Sequence, residues 1–220
     1  MQTGMVVNSS ATNEERATLH QAIQAIIQGQ VLLYPTETLY ALGANALNHQ
    51  AVARVCRIKG RAENKPLPVI IGSMDQLRLV GRNIAQEVIN LAGAFWPGPL
   101  SIVIPAHGQI SPQAQDETGC TSVRWSSHPL AQKLCVQSGV PLVGTSANLA
   151  GGQPASRPKD LDSGLVQAAD GIVTGPPYPR GGLPSTVVRV VGPKQIKVIR
   201  VGAVSAGALR DAGWVIQEGL

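Results

Sequence analysis

The stretch VLLYPTETLYALG, residues 31–43, decides the architecture. Val31 to Tyr34 is a short apolar run closed by Pro35, the pattern of a strand buried on both faces. On its N-terminal side, Leu19, Ala22, Ile23, Ile26 and Ile27 recur at three and four residues. That spacing predicts an amphipathic helix over Glu14 to Gln28, stopped by Gly29. On its C-terminal side, Ala51, Val52, Val55 and Ile58 share one face of a helix over His49 to Ile58, and Gly60 stops it. Between strand and helix, Thr36, Thr38 and Tyr40 line a turn that can pass beneath a small polar ligand. Glu37 alternates with the threonines and is expected to point away from whatever they face.

The same alternation continues outward. Strands are predicted at Pro68 to Ile71, Leu100 to Ile104, Ser122 to Trp125, Pro141 to Val143 and Gly171 to Thr174. Helices are predicted from Ser73 to Leu79, Ile84 to Phe95, Pro129 to Gln137 and Leu161 to Ala169, with a last short one over residues 205–212. Thr186 to Val191 and Gln195 to Val201 read as a hairpin turning at Gly192-Pro193. Strands alternating with helices imply an α/β layer architecture, and the closing hairpin makes the sheet mixed. Residues 1–13 are polar and expected to be flexible, 14–212 to form one domain, and 213–220 to be a tail.

Composition agrees with this reading. A chain of 220 residues can bury roughly 70 % of its unfolded surface in a single domain. Seven residues are aromatic, so the core must be built from Val, Ile, Leu and Ala. No apolar run approaches the ~20 residues of a membrane span, and the N-terminus lacks the basic and apolar regions of a secretory signal. Cys56, Cys120 and Cys135 form no C-x-x-C pair, and the four histidines have no metal-ligand spacing. A reduced, cytoplasmic protein without a resident metal is expected. The formal charge of +5 suggests an anionic partner such as a nucleotide or RNA.

Neither G-x-x-x-x-G-K-[ST] nor G-x-G-x-x-G occurs, so phosphates would be held by another route. The densest charge lies in RVCRIKGRAENKP, where Arg54, Arg57, Lys59, Arg61 and Lys65 place five of eighteen cations within twelve residues. Arg54 and Arg57 can simply complement the helix C-terminus. Lys59, Arg61 and Lys65 lie around Gly60, where a cationic loop can surround a polyphosphate. GTSANLAGGQPAS, residues 144–156, puts hydroxyls and an amide at a strand's C-terminal end, where open α/β sheets bind ligands. The same residues can also stitch an Asx turn. GGLPST presents Ser185 where a loop meets a strand. Arg124 in SVRW and Arg200 in VIRVG are cations among apolar neighbours, each needing a carboxylate from protein or ligand.

In this order the pieces resemble the YrdC-type threonylcarbamoyl-AMP synthase family. PTETLYALG resembles its P-T-[DE]-T-x-Y-G-L-G, IKGRAENKPLPVII its K-G-R-x-x-x-K-P-L segment, and FWPGPLSIVI its W-P-G-P-L-T run. VRW, TSANLAG, PSTVV and IRVGAV are similar to V-R-x-P, S-A-N-x-S-G, P-S-T and L-R-x-G. The likeness runs from about Val31 to Val204 and implies a YrdC-like twisted mixed β-sheet flanked by helices, with a concave cationic cleft.

The resemblance also implies residue roles. Lys59 and Arg61 would be catalytic, neutralising charge on the nucleotide phosphates together with Ser146 and Asn148. Thr38, Arg124, Ser146 and Ser185 would hold L-threonine, with Arg124 on its carboxylate. Arg61, Lys65, Asn148, Ser156 and Arg200 would contact ATP. The implied reaction joins L-threonine, bicarbonate and ATP, with Mg²⁺ held mainly through the phosphates. Its product feeds tRNA modification through a downstream threonylcarbamoyl-transfer enzyme. Ala41, Trp125-Ser126 and Ala150 depart from the pattern, and Trp125 is expected at the rim of the threonine pocket. The alternative is a non-synthase paralogue that binds double-stranded RNA or tRNA.

Overall fold

The computed structural model describes residues 5–7, 13–60, 65–149 and 151–217. Twelve strands and seven helices are found among them. The strands are β1 (Met5–Val7), β2 (Leu32–Pro35), β3 (Tyr40–Gly43), β4 (Val69–Ile71), β5 (Leu100–Pro105), β6 (Cys120–Trp125), β7 (Leu142–Val143), β8 (Thr145–Ser146), β9 (Gly171–Val173), β10 (Thr186–Gly192), β11 (Gln195–Arg200) and β12 (Val215–Gln217). The helices are α1 (Asn13–Ile27), α2 (His49–Lys59), α3 (Leu77–Val80), α4 (Gln86–Phe95), α5 (Pro129–Ser138), α6 (Ser163–Ala168) and α7 (Ala206–Asp211).

The sequence implies one mixed sheet, whereas the chain builds two. The smaller runs β1-β9-β2-β3-β8 and the larger β12-β11-β10-β5-β6-β4-β7. Strand alternation explains how both faces are buried. Leu33 faces the main core, built from both sheets, while Leu32 and Tyr34 face a second cluster under α1 and α5. Val69 and Ile71 likewise join the main core, and Ile70 joins the second. Each such fully buried aliphatic side chain stabilises the fold by ~1.5–3 kcal/mol relative to exposure.

One strand direction serves both sheets. β7 pairs with β4 in the larger sheet, and β8, one residue later, pairs with β3 in the smaller. Gly144 is the crossover, and its N–H donates to Pro68 O at 2.9 Å. A Cβ there would stand 2.6 Å from Tyr34 Oη and 2.7 Å from Ile70 Cδ1, so only glycine fits without displacement. Tyr34 Oη also donates to Val143 O at 3.0 Å, fixing the residue before the crossover.

Three other differences have local causes. Residues 36–43 are not one turn: Thr36 Oγ1 donates to Leu39 O at 2.7 Å and closes a tight reversal, after which β3 runs antiparallel to β2. The expected helix at 73–79 is a 3₁₀ turn, Met74–Gln76, followed by the short α3, and Ser73 makes no capping bond. The strands Met5–Val7 and Val215–Gln217 lie where a flexible segment and a tail were expected; each pairs in parallel at a sheet edge. Trp214 anchors the latter, being buried in the main core.

Candidate active site

Lys59 is delivered by the end of α2. Asn48 opens that helix by accepting from Ala51 N, and Gly60 closes it in the left-handed region at φ 60°, donating to Arg57 O. The Lys59 side chain is buried, and Nζ reaches the loop that follows β8. It donates to Ser146 O at 2.6 Å and Asn148 Oδ1 at 2.8 Å, lies 3.4 Å from Ser146 Oγ, and also contacts Asn148 O. Ser146 Oγ donates to Asn148 Oδ1 at 2.6 Å. Asn148 Nδ2 donates to Leu149 O and Gly152 O, so the side chain also stitches its own loop, while its Oδ1, the acceptor an Asx turn would use, is taken by Lys59 and Ser146. A turn that folds on itself and orients an ammonium group serves both readings at once.

A small cavity of about 110 Å³, partly open to solvent, adjoins this cluster. Thr38, Arg124, Ser146, Ser185 and Arg200 all line it, as do Thr36, Tyr40, Ala41 and Thr145. Arg124 comes from β6, and Thr38 Oγ1 is 3.5 Å from its Nη1. Ser185 Oγ sits 3.1 Å from Ser101 Oγ and accepts from Arg200 Nη2 at 2.9 Å. Arg200 also donates from Nε and Nη2 to Ser185 O at 3.1 and 2.8 Å. Strand ends and turns distant in sequence thus converge on one hollow.

Glu37 stays out of the lining of the cavity that Thr36 and Thr38 face, as expected, yet it shares Arg124 with Thr38, pairing with the guanidinium at 2.9 Å. Residues 36–39 form a turn, so strand alternation does not apply to them. Trp125 packs into the main core on the opposite side of β6 from Arg124, away from the pocket rim. Ser156 and Lys65 do not line the cavity, and Arg61 lies outside the described residues.

Ser156 instead touches the PPYPRGG segment, residues 176–182. A Cβ at Gly181 would be 3.2 Å from Ser156 Oγ. Arg157 Nη1 donates to Pro179 O at 2.9 Å, and its guanidinium lies 5.4 Å from the centre of the Tyr178 ring. On the other side, Arg180 N and Gly181 N donate to Glu37 O and Thr38 O. His128 caps α5 by accepting from Leu130 N at Nδ1, which leaves Nε2 to donate to Pro177 O at 2.5 Å. Burial lowers the His128 pKa from its ordinary value and favours this neutral form. A second cavity, bounded by Glu37, Thr38, Pro97, Pro99, Arg180 and Leu183, meets the first at Thr38. These braces were not legible as site features, because proline and backbone carbonyls carry no motif signal.

Comparison with known proteins places these features in context. The Sua5/YciO/YrdC family model, described as "Telomere recombination", matches residues 24–202. A threonylcarbamoyl-AMP synthase of Xylella fastidiosa is 37% identical over 161 residues, which cover 72% of this chain and 86% of that protein. The structure of Pyrococcus abyssi Sua5 complexed with L-threonine superposes with a TM-score of 0.85 at 28% identity, covering 97% of this chain. This chain spans 62% of that Sua5 chain, and 66% of a second Sua5 structure from the same organism. Escherichia coli YciO matches with a TM-score of 0.81 at 22% identity, over 95% of this chain and 100% of that one, and shares the fold. With the family pattern running through both sheets and through the residues that surround the cleft, this chain belongs to the Sua5/YciO/YrdC family.

Proposed function

We infer that the chain is a threonylcarbamoyl-AMP synthase. The observation that carries this reading is the convergence of Lys59, Ser146 and Asn148 beside a cavity lined by Thr38, Arg124, Ser185 and Arg200. The curated synthase relative and the threonine-bound Sua5 structure support it.

In the proposed reaction, the amine of L-threonine combines with bicarbonate to give a carbamate and water. A carbamate oxygen then attacks the α-phosphorus of ATP, and the bond to the β,γ-unit breaks to release pyrophosphate. Little proton transfer by the protein is needed; the demand is to align two anions and neutralise charge on the phosphoryl oxygens. We assign that neutralisation to Lys59 and Arg61. Asn148, Arg200, Lys65 and Ser156 are assigned to the nucleotide. Thr38, Arg124, Ser146 and Ser185 are assigned to threonine, with Arg124 meeting the carboxylate. Among the described residues no group of three or more His, Cys, Asp or Glu side chains could hold a metal ion. Mg²⁺ enters this scheme as part of the Mg·ATP substrate, held mainly through the phosphates.

The product is an activated carbamoyl group, so an enzyme that transfers it to tRNA is the expected consumer. The competing reading, a non-catalytic RNA binder, explains the positive charge but not the buried arginine that lines a recessed polar pocket. Pyrophosphate release from ATP separates the two. The synthase reading expects release that requires both L-threonine and bicarbonate and needs no RNA. Release no greater than in a threonine-free control would overturn it.

A further inference from the structure

The Arg124–Glu37 ion pair spans 2.9 Å, and each side chain is only 9% exposed. Burying two charges offsets most of their attraction, so such a pair is weak evidence for stability and invites a functional explanation. Arg124 lines the first cavity and Glu37 does not; Glu37 borders the second, so the guanidinium and not the carboxylate belongs to the wall of the cleft. Glu37 is fixed from several sides. Ser126 Oγ donates to Oε2, His128 N donates to Ser126 Oγ at 3.2 Å, and Arg180 N donates to Glu37 O at 3.1 Å. Oε1 accepts no hydrogen bond among the described residues, so Arg124 is the group that answers its charge.

We propose that Glu37 is the internal counter-ion that makes the cleft select an amino acid over a plain carboxylate, an inference that rests on the threonine assignment above. A buried guanidinium without a partner attracts any small anion that fits. With Glu37 paired to it the two charges cancel, and a carboxylate arriving alone gains less than it would from a lone guanidinium. An amino acid brings an ammonium group as well, whose charge the additional carboxylate answers. The distinction matters to the reaction, because the carbamate forms on that amine. A hydroxy acid of the same shape would occupy the cleft without turning over. Glu37 is thus a specificity determinant that acts through Arg124.

The test is calorimetric binding of L-threonine and of (R)-3-hydroxybutyrate, which is threonine with the amine replaced by hydrogen. Wild type should favour threonine strongly. In Glu37→Gln, the ratio of the two dissociation constants should narrow by about tenfold or more, the scale of one nearby charge at an effective dielectric near 20. Glu37→Asp keeps the charge and should keep the discrimination. A wild type that does not bind threonine overturns the threonine assignment itself. A wild type that binds threonine, with an unchanged ratio in folded Glu37→Gln, overturns the counter-ion role alone. Should Glu37→Gln fail to fold, Glu37→Asp decides: retained discrimination supports the role, and its loss in a folded protein overturns it.

Discussion

Lys59 Nζ and Asn148 Oδ1, 89 residues apart in the chain, meet at 2.8 Å. The left-handed Gly60 ends α2 at the point where the amine clears the helix, and the Gly144 crossover sets the opposite side of the contact. Lys59 is therefore positioned by a left-handed glycine cap, and Asn148 by a crossover between sheets at which only glycine has room.

If Lys59 neutralises phosphoryl charge, Lys59→Met should lower kcat by ~100-fold or more, as for loss of one preorganised donor. Arg61→Ala should do the same. Steady-state pyrophosphate release checks both, and near-full turnover in either variant removes that residue from the mechanism.

Arg124→Ala should act twice. KM for threonine should rise by at least tenfold, since a substrate carboxylate loses a charged partner worth about 1.5–3 kcal/mol. The fold should lose ~3–5 kcal/mol as well, because Glu37 is left buried without its cation. Initial rates and urea unfolding measure the two effects separately, and an unchanged threonine KM in folded protein would take Arg124 out of the site.

Gly144→Ala tests the crossover. Its Cβ would collide with Tyr34 Oη and Ile70 Cδ1, and such overpacking destabilises by ~1–3 kcal/mol. Ser146, two residues on, should shift with the backbone, so activity should fall even in protein that remains folded. Tyr34→Phe in the same background should recover part of the stability by removing the nearest clashing atom.

His128 makes stability depend on pH. Its folded pKa lies below the ordinary 6.5 because burial disfavours the charged ring. On acidification the unfolded chain takes the proton first. The contribution of the neutral ring is therefore present above about 6.5 and lost as pH falls through the folded value. Denaturant midpoints between roughly pH 7.5 and 5 should fall for wild type and fall less for His128→Asn, whose amide can still cap α5. Equal slopes in the two proteins would contradict this.

Much of this arrangement was legible beforehand. Apolar runs such as Val31 to Tyr34 and the three-and-four spacing of α2 fix their elements by burial alone, and the hydroxyl and cation motifs marked the loops that meet. Four features escaped. The four-residue turn at Thr36 hid both β3 and the role of Glu37, since periodicity fails where the chain reverses. The split into two sheets at Gly144 depends on a single close approach. Met5–Val7 and Val215–Gln217 are edge strands too short to show a period. Ser156 and the 176–182 segment meet through backbone carbonyls and a glycine, which leave no pattern in side chains.

The most direct test of the account is to incubate the purified chain with Mg·ATP, L-threonine and ¹³C-bicarbonate and to analyse the nucleotides by mass spectrometry. The account predicts an adenylate that contains both threonine and the labelled carbon, formed without RNA and abolished in Lys59→Met. ATP that stays intact, or is cleaved without any adenylate bearing the label, would contradict it.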